Sequence, residues 1–168
     1  MSNFNRKLTE KDVTEALSQR EELLVCYHKR LVMLSKEYED AGELLEMLQL
    51  RSPGNNPEGK GNISGEAKGL DDIYLRYEAQ KKNYQEEIYR NMLQIMEAID
   101  QVKHVYLYYL QLPPKEQTVL NAIYIEKKSY KEIVTDGMSE QTINRLRKKG
   151  IQEIIKRCEN DNRTGQEM

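Results

Sequence analysis

The chain has 168 residues, 26 basic and 28 acidic side chains and a formal net charge of −2, so the molecule as a whole carries no field that would draw it to nucleic acid. No window is apolar enough to span a bilayer, the N-terminus lacks a signal-peptide core, and two distant cysteines, Cys26 and Cys158, make no disulfide framework; these features predict a soluble cytoplasmic protein. There is no phosphate-cradling glycine loop, no Ser-His-Asp arrangement and no Cys, His and carboxylate cluster at metal-ligand spacing, so the expectation is a protein that is not an enzyme and uses no metal and no cofactor.

From Thr9 to about Leu50 apolar residues recur at alternating spacings of three and four. One register runs Val13, Leu17, Leu24, Tyr27, Leu31, Leu34, Tyr38, Ala41, Leu45 and Leu48, interrupted by Arg20. That pattern predicts one long helix with a coiled-coil seam. Residues 51–69 hold two of the four prolines and five of the nine glycines, which predicts a flexible loop. A second long helix is expected from Leu70 to Leu110, with its seam on Tyr74, Tyr77, Tyr84, Ile88, Ile95, Ala98, Val102, Val105 and Tyr109. Two helices of about 60 Å each pair most simply as an antiparallel hairpin over residues 1–111. A lone helix pair offers little core per residue, so a second copy is expected to complete a four-helix assembly, making the protein a homodimer through the hairpin.

Seven of the eleven tyrosines lie between Tyr74 and Tyr109. They suit wide seam positions with the hydroxyl at the rim; a surface for stacking single-stranded bases is the competing use.

The C-terminal third changes character. Leu112-Pro113-Pro114 opens a short helix, with proline in the first turn where no N–H is needed, and Val119, Leu120, Ile123 and Tyr124 give it an apolar face. Ser129 and Glu132 have capping-box spacing for the next helix. Asp136-Gly137 breaks that helix, because glycine adopts positive φ without strain. Ser139 caps a third helix whose apolar stripe is Ile143, Leu146, Gly150, Ile151 and Ile154. Glu140, Gln141, Asn144, Arg145, Lys148 and Lys149 are expected to face outward. Residues 112–157 therefore predict a three-helix, helix-turn-helix domain followed by a polar tail, 158–168. The whole is all-α.

This unit resembles region four of bacterial sigma factors, on the opening LPPKEQTVL, the SYKEI helix, the serine after the turn and the TINRLRKKGIQEI series. In overall plan the chain is similar to phage-encoded transcription regulators of the late-gene-activator type. The resemblance implies that the helix starting at Ser139 reads double-stranded DNA, with Glu140, Gln141, Asn144 and Arg145 nearest the bases; Ser139 is counted with the DNA-binding residues, and Arg147, Lys148, Lys149, Lys156 and Arg157 supply positive charge for phosphates. It also implies RNA polymerase as a candidate partner. Two departures are visible: Val134 stands where the family carries alanine, and Gly137 follows one residue early. Gly150 likewise replaces a preferred alanine, at an expected cost of up to about 1 kcal/mol in helix propensity.

Charge is distributed accordingly. Residues 113–157 hold ten basic and six acidic side chains, while residues 1–112 hold fifteen and nineteen. Local positive charge is what phosphate attraction requires. The expected function is a sequence-specific DNA-binding transcription regulator of phage or prophage origin. The alternatives are a phage packaging or assembly protein using the same domain on DNA, and a coiled-coil module that contacts the transcription machinery through protein alone.

Overall fold

The computed structural model describes residues 8–50, 70–135 and 137–164, with side chains described except at 41–50, 70–73, 135 and 161–164. The protein is all-α. Its helices are α1 (Glu10–Ser18), α2 (Arg20–Leu50), α3 (Leu70–Leu110), α4 (Pro114–Leu120), α5 (Tyr130–Thr135) and α6 (Glu140–Thr164), with a π-helical turn, Asn121–Ile125, following α4 directly. The expected 51–69 loop, and Asp136 of the expected break, lie outside the described residues.

The single helix expected from Thr9 to Leu50 is two helices. Thr9 caps α1 through a full capping box: its Oγ1 accepts from Asp12 N at 3.3 Å, and its N–H donates to the Asp12 carboxylate at 2.8 Å. The helix ends at Gln19, whose φ of −130° and ψ of 24° leave the helical region. Just before the break the Ser18 hydroxyl donates to the Thr14 carbonyl at 2.7 Å, a local bond that competes with the helical ladder. The redirection takes Val13, Ala16 and Leu17 away from a hairpin seam. They enter a core with Val102, Val105, Tyr109, Leu112, Leu120, Ile151 and Ile154.

The described residues accordingly gather into two compact units. One comprises the chain up to Tyr27 together with the chain from Glu97 onward; the other runs from His28 to Met96. The boundaries fall inside α2 and α3 and not at residue 111, because the end of α3 buries its side chains with α1, α4 and α6. In the first unit the Arg20 guanidinium lies 4.1 Å over the Tyr106 ring. Leu23 and Tyr27 of α2 line a small cleft with Ala98 and Val102 of α3. Residue numbers rise on one helix as they fall on the other, so α2 and α3 run antiparallel there.

In the second unit the Tyr84 hydroxyl donates to Glu37 Oε1 at 2.8 Å, and Gln85 Nε2 donates to the Tyr38 carbonyl at 3.4 Å. Tyr84 thus keeps its hydroxyl at the rim, and the carboxylate acceptor pushes its pKa up. Ile88 and Ile95 are buried, but Tyr74, Tyr84 and Tyr89 stay 40%, 46% and 56% exposed. The seam residues Ala41, Leu45 and Leu48 lie outside the described side chains.

A second, smaller core in the first unit joins Val119 and Ala122 to Ile133, Ile143 and Leu146, with Ile123, Tyr130 and Met138 packed at its edge. Three short elements from 114 to 135 thus share apolar surface with α6. That helix does not stop at residue 157: it continues to Thr164 through the segment expected to be a tail.

Gly150 sits where α6 crosses α4. A Cβ built there would lie 3.0 Å from Leu120 Cδ1, 3.4 Å from Glu116 Cβ and 3.5 Å from Leu112 Cδ1. Leu120 is fully buried and has little room to give. The helix-propensity loss expected at this glycine is therefore offset by the close approach it permits. Gly150→Val is expected to destabilise the full chain by about 1–3 kcal/mol, the usual range for overpacking a filled core. Urea unfolding followed by circular dichroism measures it.

Candidate nucleic-acid interface

Three features fix α6 as a presented surface: its start, its buried face and its side-chain clamps. The start is set by Ser139, whose Oγ accepts from Thr142 N at 3.3 Å, as expected for an N-cap. Before it, Gly137 adopts φ +94°, the positive angle expected of the turn. At the preceding helix the box is one-sided. The Glu132 carboxylate accepts from both the Ser129 N–H, at 2.7 Å, and the Ser129 hydroxyl, at 2.8 Å. These bonds hold the Glu132 carboxyl below its ordinary value.

The buried face matches the expected stripe: Ile143, Leu146, Gly150, Ile151 and Ile154 are all buried. Opposite it, Ser139, Glu140, Gln141, Asn144, Arg145, Lys148 and Lys149 are exposed, while Arg147 is half-buried. Gln141, Asn144, Arg145 and Lys148 fall at helical spacing on one face, and exposed Gln152 and Lys156 continue it. Among the described residues, neither Arg145 nor Lys148 has an ion-pair partner.

Two of the expected contact residues have other work. Arg147 turns inward: its Nε donates to the Tyr124 hydroxyl at 2.6 Å and its Nη2 to Glu10 Oε1 at 2.6 Å. It ties α6 to the π-helical turn and to α1. Lys149 Nζ lies 2.8 Å from Glu116 Oε1, a carboxylate buried beneath α6. The ammonium satisfies a charge that would otherwise be stranded in the α4–α6 crossing. Its hydrogen bond holds Glu116 below the ordinary 4.5 despite the opposing effect of burial. The basic cluster read from the sequence is thus divided. Arg145 and Lys148 carry no described ion pair, while Arg147 and Lys149 each pair with a carboxylate of another helix, Lys149 with its side chain still 70% exposed.

Asn144 is also oriented. The Tyr130 hydroxyl of α5 donates to Asn144 Oδ1 at 3.1 Å, which leaves the Nδ2 protons for an external acceptor. Sequence reading did not single out Tyr130, Tyr124, Glu10 or Glu116 for these parts. The signal for Tyr130 was its place at the first turn of α5; the other three bonds join residues 23, 137 and 33 positions apart, beyond any local pattern.

Among the described residues there is no group of His, Cys, Asp and Glu side chains that could hold a metal ion, and no helix is long and apolar enough to cross a membrane. Comparison of the chain with protein-family models, with curated proteins and with solved structures finds no match.

Two outcomes follow from the division of basic residues. Arg147→Ala is expected to lower stability by about 1–2 kcal/mol, having broken two hydrogen bonds to a charged group, whereas Arg145→Ala stays within about 0.5 kcal/mol of wild type; thermal unfolding of the full chain distinguishes them. Glu116 has a pKa lowered by folding, so its contribution is complete above 4.5 and is lost as pH falls through the folded value. The stability gap between wild type and Glu116→Gln is therefore expected to be full at neutral pH and to shrink progressively as pH falls below 4.5, as urea titrations at each pH would record.

Proposed function

We propose that this chain is a sequence-specific DNA-binding transcription regulator, phage or prophage encoded, which reads a duplex with α6 and acts as a homodimer through α2 and α3. The observation that carries this reading is the exposed stripe of Gln141, Asn144, Arg145 and Lys148 on a helix anchored by its opposite face. Amide and guanidinium groups at that spacing suit two-point contacts with base edges in a major groove. A helix fixed against two cores presents them without a large ordering cost. The resemblance of residues 112–157 to sigma region four supports the same use and keeps RNA polymerase as a further candidate partner.

In this reading Arg145 is a base reader. It lies one turn after Gln141, flanked by Asn144 and free of internal partners among the described residues. Lys148, one turn further, is a point charge suited to a phosphate. Lys149 and Arg147 are supports.

Selection of bound sequences from a random duplex pool tests the proposal: one enriched motif supports it, and no enrichment above input overturns it. On the selected duplex, Arg145→Ala is expected to lose about 1–3 kcal/mol of discrimination against a mismatched site. Lys148→Ala is expected to weaken all sequences alike and to reduce the salt slope by about one. Equal loss on selected and random duplexes for both variants would remove the assignment of reader and positioner.

A further inference from the structure

In the His28–Met96 unit the side chains of residues 28–40 and 74–96 are described. Among its described side chains, Ile88 and Ile95 are the buried apolar ones. There Tyr84 and Gln85 of α3 meet Glu37 and Tyr38 of α2. Meanwhile α3 carries a second stripe, separate from the face that meets α2. Leu75, Ala79, Lys82, Glu86, Tyr89 and Leu93 follow one another at spacings of four and three, and all six are exposed. Leu75 is 61% exposed and Tyr89 56%. The residues that meet α2 or are buried, Gln85, Ile88 and Ile95, lie on another face of the helix.

The order of side chains in this stripe is complementary to its own reverse. Read forward it is large apolar, small, basic, acidic, large, large apolar. If a second α3 is laid antiparallel with Lys82 facing Glu86, then Leu75 faces Leu93 and Ala79 faces Tyr89. Each charge meets its opposite twice about a two-fold axis, and each bulky group meets either a small one or a leucine. Sliding the partner by seven residues one way places Lys82 on Leu93 and Glu86 on Tyr89. Sliding it the other way places Leu75 on Glu86 and Lys82 on Ala79. A parallel, in-register pair would set Lys82 against Lys82 and Glu86 against Glu86. Of these arrangements only the first satisfies both the charges and the apolar groups, and it is isologous, as a closed two-fold dimer requires; a parallel pair staggered by four residues would also bring Lys82 to Glu86, but it is heterologous and does not close.

We propose that a second copy of this chain docks on this stripe, α3 antiparallel to α3, in the register that pairs Lys82 with Glu86 of its mate. The interface specifies the homodimer of the functional reading above and rests on that part of it. Glu86 already lies 3.7 Å from Arg90 one turn on, a loose exposed pair that leaves the carboxylate free to accept a second cation. The charged pair selects register and orientation; the flanking apolar groups supply the attraction.

Sedimentation velocity on the full chain tests the proposal. Wild type is expected to be a dimer at micromolar concentration. Lys82→Glu is expected to raise the dimer dissociation constant at least about tenfold, since it places two acidic groups face to face. Glu86→Lys is expected to do the same, and the combined swap, Lys82→Glu with Glu86→Lys, to return it to within about threefold of wild type. Rescue by the swap is an outcome that general unfolding would not produce. A crosslink reads the register. In a chain with Cys26→Ser and Cys158→Ala, Leu75→Cys with Leu93→Cys should form an intermolecular disulfide. Each alone should not, because two copies of residue 75 would sit about 27 Å apart along the axis. A monomer at micromolar concentration overturns the pairing. A dimer whose affinity ignores the charge swap, or which crosslinks through one cysteine alone, overturns the register. Duplex binding by the same preparations is scored separately: a monomer that still selects its site leaves the DNA reading standing, and a dimer that selects none leaves the interface standing.

Discussion

The crossing of α6 over α4 at Gly150 is the constraint from which the rest of the C-terminal architecture follows. The absence of a side chain there lets Leu112, Glu116 and Leu120 approach within van der Waals distance of the helix backbone. Ile151 and Ile154 then reach the core shared with α1 and the end of α3, while Ile143 and Leu146 reach the core shared with α5. One helix thereby serves two cores, and its outward face is held from both sides. A larger residue at 150 would separate these helices and draw Lys149 away from the carboxylate beneath it.

Basic residues on α6 divide between folding and presentation according to angle. Arg147 lies beside the buried stripe and Lys149 is exposed, and acceptors from α1, α4 and the π-helical turn reach both. Arg145 and Lys148 lie on the far side and form no ion pair with a described acidic group. The flanking pair has a consequence for the outer pair: by neutralising Glu116 and Glu10 close to the helix, it keeps those carboxylates from competing for the cations that remain exposed. Tyr130 adds a further restraint by fixing one end of the Asn144 amide.

The role of α1 shows how a single break in a helix reassigns a segment. Ser18 and Gln19 end the helix after nine residues, and the apolar groups that would have continued a hairpin seam cover α6 instead. Glu10 at its first turn then meets Arg147. In the unit from His28 to Met96, Ile88 and Ile95 are buried among the described side chains, and α3 carries the exposed stripe from Leu75 to Leu93. An exposed apolar stripe interrupted by one charge of each sign is a surface on which association contributes both attraction and register.

Much of this was legible in the chain itself, because helix periodicity, caps and glycine turns are local. The bounds of α3, the pairing of Ser129 with Glu132, the cap at Ser139, the positive φ of Gly137 and the buried stripe of α6 from Ile143 to Ile154 follow from spacings within a few residues. The all-α class does too. The break at Gln19 was hidden because Val13 and Leu17 keep the same heptad register as Leu24 and Tyr27. A periodic pattern reports that a face is apolar without reporting what will cover it. The cap at Thr9 and Asp12 was the local trace of a separate short helix. The inward turn of Arg147, the buried partner of Lys149 and the need for glycine at 150 depend on groups 33 to 137 residues away for the bonds and on α4 for the glycine. Sequence determined which residues could lie on each face of α6; tertiary packing decided which of its charges were paired, because only the fold brings Glu10 of α1 and the buried Glu116 of α4 within reach of Arg147 and Lys149.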